Sequence, residues 1–529
     1  MKSKLLKLLL PLLAILTSCT PNNFGDGEIE DNSGNIDNDL RKGKVTLNII
    51  ASNDYHGVVE PDYYPGLVKW GATIKRLYNK NKDYTLVLSS GDMFQGSGVS
   101  SLTNGKIVID GMNNVKFDAM AIGNHEFDWG IETLQMAHDG VALNYDETTN
   151  TEANPEANFP YLGCNIYYNN GTETETDDTF VDFAKKYSIV SRGGLKIGLV
   201  GYIGTDQLRS IVSTIGGQFS FHDPVEEVKK CTEILRKNEK CDIVIAIGHD
   251  GHDNNSSNNE VNTRLSQLTG NQKVDFIINA HTHATYVDRL NTNLYAVQSG
   301  QYGQTLGYAS LTYDFDKKEI TEASCENINV DATDTTLSSI PLTDIYDEHM
   351  LSVYNVLHEK IGFIDSSIYS GQKSSIATWT ADCIAHKTKV QYGAVNTSGI
   401  RSSGFPLNYG PFTYNNLIGI MPFDNVIVTC KMYGRDLTSL KSSYASSSNS
   451  ILSFDFDFKN TSSFVSRDFY TVAFDEYSFG KYVLNNYRLE GLTDIVYTPY
   501  LVRDAMKEEI KHQYFDLRLN FNYSIPASF

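Results

Sequence analysis

Apolar and polar positions fall into short repeated blocks, and each apolar block of strand length ends on a residue of metal-binding type. Val45 to Asn53 leads into Asp54-Tyr55-His56, Thr85 to Gly91 into Asp92, and Phe117 to Ile122 into Gly123-Asn124-His125-Glu126. Asp242 to Gly248 leads into His249, and Asp275 to Ala280 into His281-Thr282-His283. Runs of this length, rich in β-branched residues, predict buried strands. Between them, Gly66 to Asn79 and Pro224 to Asn238 read as helices. Alternating strands and helices predict a layered α/β fold, where polar residues at strand C-termini gather along one edge of a sheet.

Pro341 to Lys360 carries Ile345, Met350, Leu351, Val353, Tyr354 and Leu357. One apolar face predicts a linker helix. It lies in the segment 336–360, which separates a first domain over 45–335 from a second over 361–529. Asn144 to Asn158 and Asn169 to Thr179 are polar and acidic, and read as surface insertions.

The N-terminus has a different pattern. Lys2, Lys4 and Lys7 precede the apolar run Leu8 to Leu16, which leads into Leu16-Thr17-Ser18-Cys19. Residues 1–19 read as a bacterial export signal ending in a lipobox, with Cys19 the lipidated residue. The apolar run is too short to span a membrane. Residues 20–44 lack hydrophobic periodicity and read as a flexible tether. The expected location is the cell envelope, lipid-anchored outside the cytoplasm.

Charge narrows the partners. The chain carries −20, and losing Lys2, Lys4 and Lys7 with the leader moves it to −23. Such an acidic protein is a poor binder of nucleic-acid polymers or anionic membranes. A phosphorylated substrate therefore needs local positive charge, which metals supply. Of seven cysteines, Cys19 goes to lipid, and the scatter of the rest fits neither a zinc ribbon nor a dense disulfide framework. One or two disulfides are compatible with export.

A lone Asp-x-His or Gly-Asp is usually a surface turn. Five such motifs in series, all at strand ends, point instead to one site. Asp, His and Asn donors without Cys suit Zn, Mn, Fe or Co and argue against a structural zinc. His125 is followed three residues later by Asp128, which can hold its imidazole.

This series resembles the calcineurin-like metallophosphatases, and specifically the 5′-nucleotidase family in its bacterial lipoprotein form. The family pattern runs Asp-x-His, Gly-Asp, Gly-Asn-His-Glu, a later His, then Gly-His-x-His. This chain departs once, with Ala280 in place of Gly. The second domain carries Asn396-Thr397-Ser398-Gly399-Ile400-Arg401, Pro422-Phe423-Asp424-Asn425 and Asp475 to Tyr482. It is similar to the family's C-terminal domain, where the motifs run N-G-G-G-I-R, P-F-G-N and an aromatic before G-G-D-G. Thr397, Ser398 and Asp424 replace glycines, and the last turn is absent.

The resemblance implies a four-layer αββα metallophosphatase sandwich joined by a helix to an α+β nucleotide-recognition domain. It implies two divalent ions, one held by Asp54, His56, Asp92 and His283, the other by Asp92, Asn124, His249 and His281. His125, oriented by Asp128, would stabilise charge at the phosphoryl group. Asn396 and Arg401 would touch substrate, Phe423 would stack on the base, Asn425 would hydrogen-bond to it, and Tyr477 would form the second face of an aromatic clamp. The implied activity is a 5′-nucleotidase acting on nucleotides or other small phosphoesters. Alternatives are a 2′,3′-cyclic-nucleotide phosphodiesterase, a UDP-sugar hydrolase, or a ligand-binding surface lipoprotein with a vestigial phosphatase half. The substrate would lie between the halves, which the helical connector would let reorient.

Overall fold

The computed structural model of the chain describes residues 41–513 apart from 62–63, 140–156, 172–177, 254–258, 445–450, 456–457, 459–460, 462, 485–488 and 490. The export signal with Cys19, nearly all of the tether and most of both acidic insertions lie outside the described residues.

Strict two-residue alternation builds the first half. Strand Lys44–Ser52 pairs in parallel with Thr85–Ser89, and that with Ala119–Ala121 and then Tyr161–Leu162; on its other side it pairs antiparallel with Thr305–Asp314, which pairs with Glu319–Asn329. A second six-stranded sheet has Ile243–His249 between the parallel strands Leu195–Ile203 and Phe276–Ile278, with Tyr295–Ser299 beyond the latter and antiparallel edges at Tyr187–Arg192 and Thr285–Arg289. Leu47, Ile49, Leu86 and Leu88 of the first sheet share a core with Leu199, Ile243, Ile245 and Ile247 of the second. Their neighbours in sequence, Ile50 and Val87, face helices Gly66–Tyr78 and Lys106–Val115 instead. On the far side Val244 and Ala246 meet helix Pro224–Lys237 through Val228 and Leu235. The result is a four-layer α/β/β/α sandwich. Fully burying one such aliphatic side chain contributes about 1.5–3 kcal/mol, and a one-residue slip of register would turn every one of them to the wrong layer.

The second half has a five-stranded sheet in the order Leu452–Phe454, Tyr392–Asn396, Phe469–Asp475, Val426–Tyr433, Thr493–Leu501. Helices Lys373–Thr388 and Val502–Gln513 cover one face through Ile376, Trp379 and Met506. Leu437 and Leu440 of helix Gly434–Tyr444 cover the other.

The connecting helix, Ile340–Leu357, differs from the sequence reading. It buries Leu342, His349, Val353 and Leu357, while Leu351 stays 78% exposed and Tyr354 is also largely exposed. The stripe is set by spacings of seven and four residues, and it packs on the two helices of the first sheet. His349 Nε2 lies 2.7 Å from Asp110 Oδ2 of helix Lys106–Val115. The helix is thus docked on the first half rather than free between the two. The halves also touch across the cleft, where Asn415 Nδ2 donates to the Glu60 carboxylate at 3.1 Å and Thr214 Oγ1 donates to Glu476. All six described cysteines are free thiols, so the disulfides compatible with the sequence are not formed here.

Candidate metal centre and cleft

The polar residues that end the parallel strands arrive at one edge of the two sheets, on tight loops. Among the described residues twelve non-glycines have positive φ, and Asp54, His56, Asp92, His281 and His283 are five of them. Left-handed backbone costs on the order of 1–3 kcal/mol per residue and persists where the surroundings over-determine it. Gly123 meets a related demand. A Cβ there would fall against Asp92 Oδ1 and 2.7 Å from His249 Nδ1, so the Asn124-His125 loop closes only on glycine.

Two groups of donors form. In the first, Asp54 accepts from Asn53 Nδ2 at 2.7 Å and from the His281 N–H, and His283 Nε2 lies 3.7 Å from Asp54 Oδ1. His56 Nδ1 donates to Gln95 O at 3.2 Å, which leaves its Nε2 lone pair directed at His283 Nε2, 2.9 Å away. In the second, His249 Nδ1 donates to Ser90 O at 2.8 Å, and its Nε2 is 3.1 Å from both Asp92 Oδ2 and Asn124 Oδ1. His281 Nδ1 is 3.0 Å from Asn124 Oδ1. Ligand atoms of Asp54, His56 and His283 lie within 4.8 Å of one another, as do those of Asp92, His249 and His281.

The donor chemistry fits divalent cations. Imidazole nitrogens, carboxylate oxygens and one amide oxygen converge, and the outer nitrogens of His56 and His249 are tied to backbone carbonyls, as is usual for metal-ligating histidines. Electrostatics agree. Burial lowers His281 to about 3 and His283 to about 4, with the charges of His249 and Arg401 next in each case, and lowers His56 well below the ordinary range. These three are neutral imidazoles at neutral pH, the form in which histidine can ligate a cation. Burial opposes charge on His249 too, but Asp92 and Asp54 hold it up at about 10, and a cation would take the place of that proton.

His125 stands beside this cluster. Its N–H donates to Asp92 Oδ1 at 2.9 Å, and its Nδ1 is 2.7 Å from Asp128 Oδ2, so its Nε2 is the free end. A ligand atom of His125 also lies within 4.8 Å of those of His56 and Asp92. Burial alone would lower this imidazole; Asp128 and Asp92 outweigh it and raise it.

Sequence reasoning passed over several supports. Glu126 is buried, and its carboxylate accepts from the backbone N–H groups of Gly123 at 2.7 Å and of Asp92 and Met93 at 2.8 Å, stitching two ligand loops together. Asn53 ties Asp54 to Gly300 O and to the Ser299 N–H. His252, without a role in the sequence, stacks on Tyr286 at 3.8 Å, and its carbonyl holds Thr282 Oγ1 at 2.7 Å. The signal for Glu126 was its place in the Gly-Asn-His-Glu motif, and for Asn53 its adjacency to Asp54. Ala280, at the family's glycine position, is fully buried and donates its N–H to Asp250 O at 3.0 Å.

From the second half, Phe423 reaches the site, its ring 5.8 Å from His125 and 24° from parallel. Arg401 Cζ lies 5.3 Å from the centre of the Phe423 ring. Burial, with the Arg401 charge next, lowers the half-buried Lys373 ammonium below the ordinary range. Of the other predicted contacts, the side chains of Asn396 and Tyr477 have partners within the second half. Asn396 Oδ1 accepts from Ser398 N at 3.1 Å, capping its own turn. The Asn425 main-chain carbonyl accepts from Val502 N at 3.0 Å, a bond that does not involve the side-chain amide expected to meet the base. Tyr477 accepts from Lys481 Nζ and lies under that ammonium, and Phe423 has His125 as a ring neighbour.

Sandwich and donor set together define a metal-dependent phosphoester hydrolase. The model of the calcineurin-like phosphoesterases matches residues 47–285, and that of the 5′-nucleotidase C-terminal domain matches residues 356–480. The chain belongs to the 5′-nucleotidase family. A 5′-nucleotidase of Vibrio cholerae is 24% identical over 438 residues, covering 74% of each chain. Endonuclease YhcR of Bacillus subtilis is 25% identical over 414 residues, which are 75% of this chain but only 32% of YhcR, so this chain spans about a third of that relative. The solved structure of a 5′-nucleotidase precursor from Thermus thermophilus shares the fold with a TM-score of 0.68 at 18% identity, covering 90% of this chain and 97% of that one.

Proposed function

We propose that the chain is a 5′-nucleotidase releasing phosphate from nucleoside 5′-monophosphates outside the cytoplasm. The observation that carries this reading is the approach of Phe423 and Arg401, from one half, to His125 beside the donor cluster of the other. Asp54, His56, Asp92 and His283 would hold one divalent ion, and Asp92, Asn124, His249 and His281 a second, as Zn, Mn, Fe or Co. When bound, such ions supply Lewis acidity toward the phosphoryl group and acidify water. The chain's own residues do the rest. Asp128 fixes the His125 ring, whose free Nε2 donates toward the oxygen on which charge develops. Arg401 offers its guanidinium to the phosphate or ribose end, and Phe423 its ring to the base.

The 5.8 Å between Phe423 and His125 is one stacking step, and ring centroids in aromatic pairs already stand about 4.5–7 Å apart. A base therefore lies on the other face of Phe423, or enters as the halves part. Phe423→Ala and Arg401→Ala are expected to lower kcat/KM for AMP far more than for a small aryl phosphate. The stacking loss should be about 1–3 kcal/mol. Equal losses on both substrates would sink the nucleotide reading.

One observation favours a second reading. A cavity of about 390 Å³, lined by Thr285, Gln301, Gln304 and Asn329, opens beside His283. Its size is within the range of ligand pockets, and its uncharged amides and hydroxyls suit a second ester group such as a sugar. Hydrolysis of a UDP-sugar or a cyclic nucleotide faster than AMP would favour it.

We also propose that Cys19 carries the lipid that holds the enzyme to the envelope. Cys19→Ala is expected to move the protein from membrane to soluble fraction or to stall its processing; wild-type chain wholly in the soluble fraction would refute the anchor. One acyl chain binds a bilayer only marginally, so stable anchoring implies more than one.

A further inference from the structure

The loop that presents Phe423 is short, irregular and follows the end of helix Tyr414–Ile420, so its carbonyls have no partners of their own in secondary structure. They are collected by one side chain. Arg503, 5% exposed at the start of helix Val502–Gln513, directs Nη1 to the carbonyls of Met421, Pro422 and Phe423 at 3.2, 2.9 and 3.4 Å. Its Nη2 pairs with Asp424 Oδ1, and its Nε lies 3.4 Å from Tyr414 Oη. One residue earlier, Val502 N donates to Asn425 O at 3.0 Å. Every residue from Met421 to Asn425 is therefore fastened to the first two residues of one helix. That helix lies beyond the residues 356–480 that match the C-terminal domain of the family.

We propose that Arg503 is a positioning residue that sets where Phe423 stands over the cleft, and through it the preference for nucleotides over simple phosphate esters; this rests on the nucleotidase reading above. Arginine suits the task because its planar, permanently charged fork makes several directed hydrogen bonds at once, whereas the lysine ammonium is a compact charge on a flexible stem. Arg503 touches neither substrate nor donor cluster. Its action is confined to the loop, and the ion pair with Asp424 keeps the guanidinium neutralised within an otherwise buried setting.

The test compares Arg503→Lys, Asp424→Ala and Phe423→Ala in the full-length, metal-loaded chain. Amide exchange of Met421, Phe423, Asp424 and Asn425 is followed by mass spectrometry, and kinetics are measured with AMP and p-nitrophenyl phosphate. Arg503→Lys is expected to speed exchange in this loop but not in peptides of the donor loops. It should raise KM for AMP with less change in kcat, lowering kcat/KM by roughly 5- to 150-fold, the range for lost base stacking, and affect p-nitrophenyl phosphate much less. Asp424→Ala, at a half-exposed position, should do the same more weakly and serves if Arg503→Lys fails to fold. Unaltered loop exchange overturns the proposal. So does an equal fall on both substrates, or selectivity retained in Arg503→Lys while Phe423→Ala loses it. If Phe423→Ala itself is unselective, the nucleotide reading has failed instead, and the exchange data alone decide whether Arg503 holds the loop.

Discussion

Asp92→Ala is expected to be the most damaging single substitution in the chain, lowering turnover by about 10³-fold or more and metal content with it. Ligand atoms of Asp92 lie within 4.8 Å of those of His249 and His281, and also of those of His56 and His125, so its carboxylate stands between the two donor groups. It also accepts the His125 N–H through Oδ1. Removing it takes a carboxylate from between the two groups and frees the loop that carries His125. Lewis-acid stabilisation of a phosphoryl transition state is worth several kcal/mol, and each 1.36 kcal/mol is tenfold in rate. A chelator should reproduce the loss in the wild-type chain, and added divalent ions should reverse it there but not in Asp92→Ala. Metal analysis and turnover on the same preparations decide the matter: near-normal turnover without the carboxylate would end the shared-ligand assignment.

His125→Ala should separate the two functions that Asp92 joins. The His125 ring is fixed at Nδ1 by Asp128, 2.7 Å away, so what it offers the cleft is one free nitrogen. Losing one preorganised donor to a charged transition state costs about 10²–10³-fold in kcat. Metal content should stay near the wild-type value, because neither donor group needs His125 to complete it. Asp128→Asn should fall in the same direction and less far, since the imidazole remains but is held less firmly. Should His125→Ala lose metal in proportion to activity, His125 is a ligand, an outcome its proximity to His56 and Asp92 makes worth measuring.

Much of the architecture was legible in the sequence because apolar runs of strand length and apolar residues at helical spacing wrote it. Alternation in Lys44–Ser52 and Ile243–His249 assigns each apolar residue to one of two cores, and the helices Gly66–Tyr78 and Pro224–Lys237 end within a residue of the apolar spacing that announced them. Convergence of the strand ends follows from parallel pairing, which puts Asp54, Asp92, Asn124, His249 and His281 on one edge.

What stayed hidden was carried by backbone groups and long separations. Glu126 works by accepting three N–H groups; the Gly-Asn-His-Glu motif marks its position but not that task. Arg503 serves carbonyls about 80 positions away. The left-handed backbone at Asp54, His56 and Asp92 is set by what the loops must reach, and aspartate and histidine tolerate it without announcing it. The connecting helix was misread at Leu351 and Tyr354 because its apolar residues outnumber those it buries, and only the neighbouring surface chooses among them.

That docked helix fixes where the molecule can be cut. Leu342, Val353 and Leu357 share a core with Leu67, Ile74, Val108 and Met112. A fragment ending before Ile340 would present that surface to water, and large exposed apolar patches invite aggregation. A fragment running through Leu357 would carry its own cover. Dissection therefore belongs at His358–Lys360, and phosphate chemistry without base selectivity is what the shorter piece should retain.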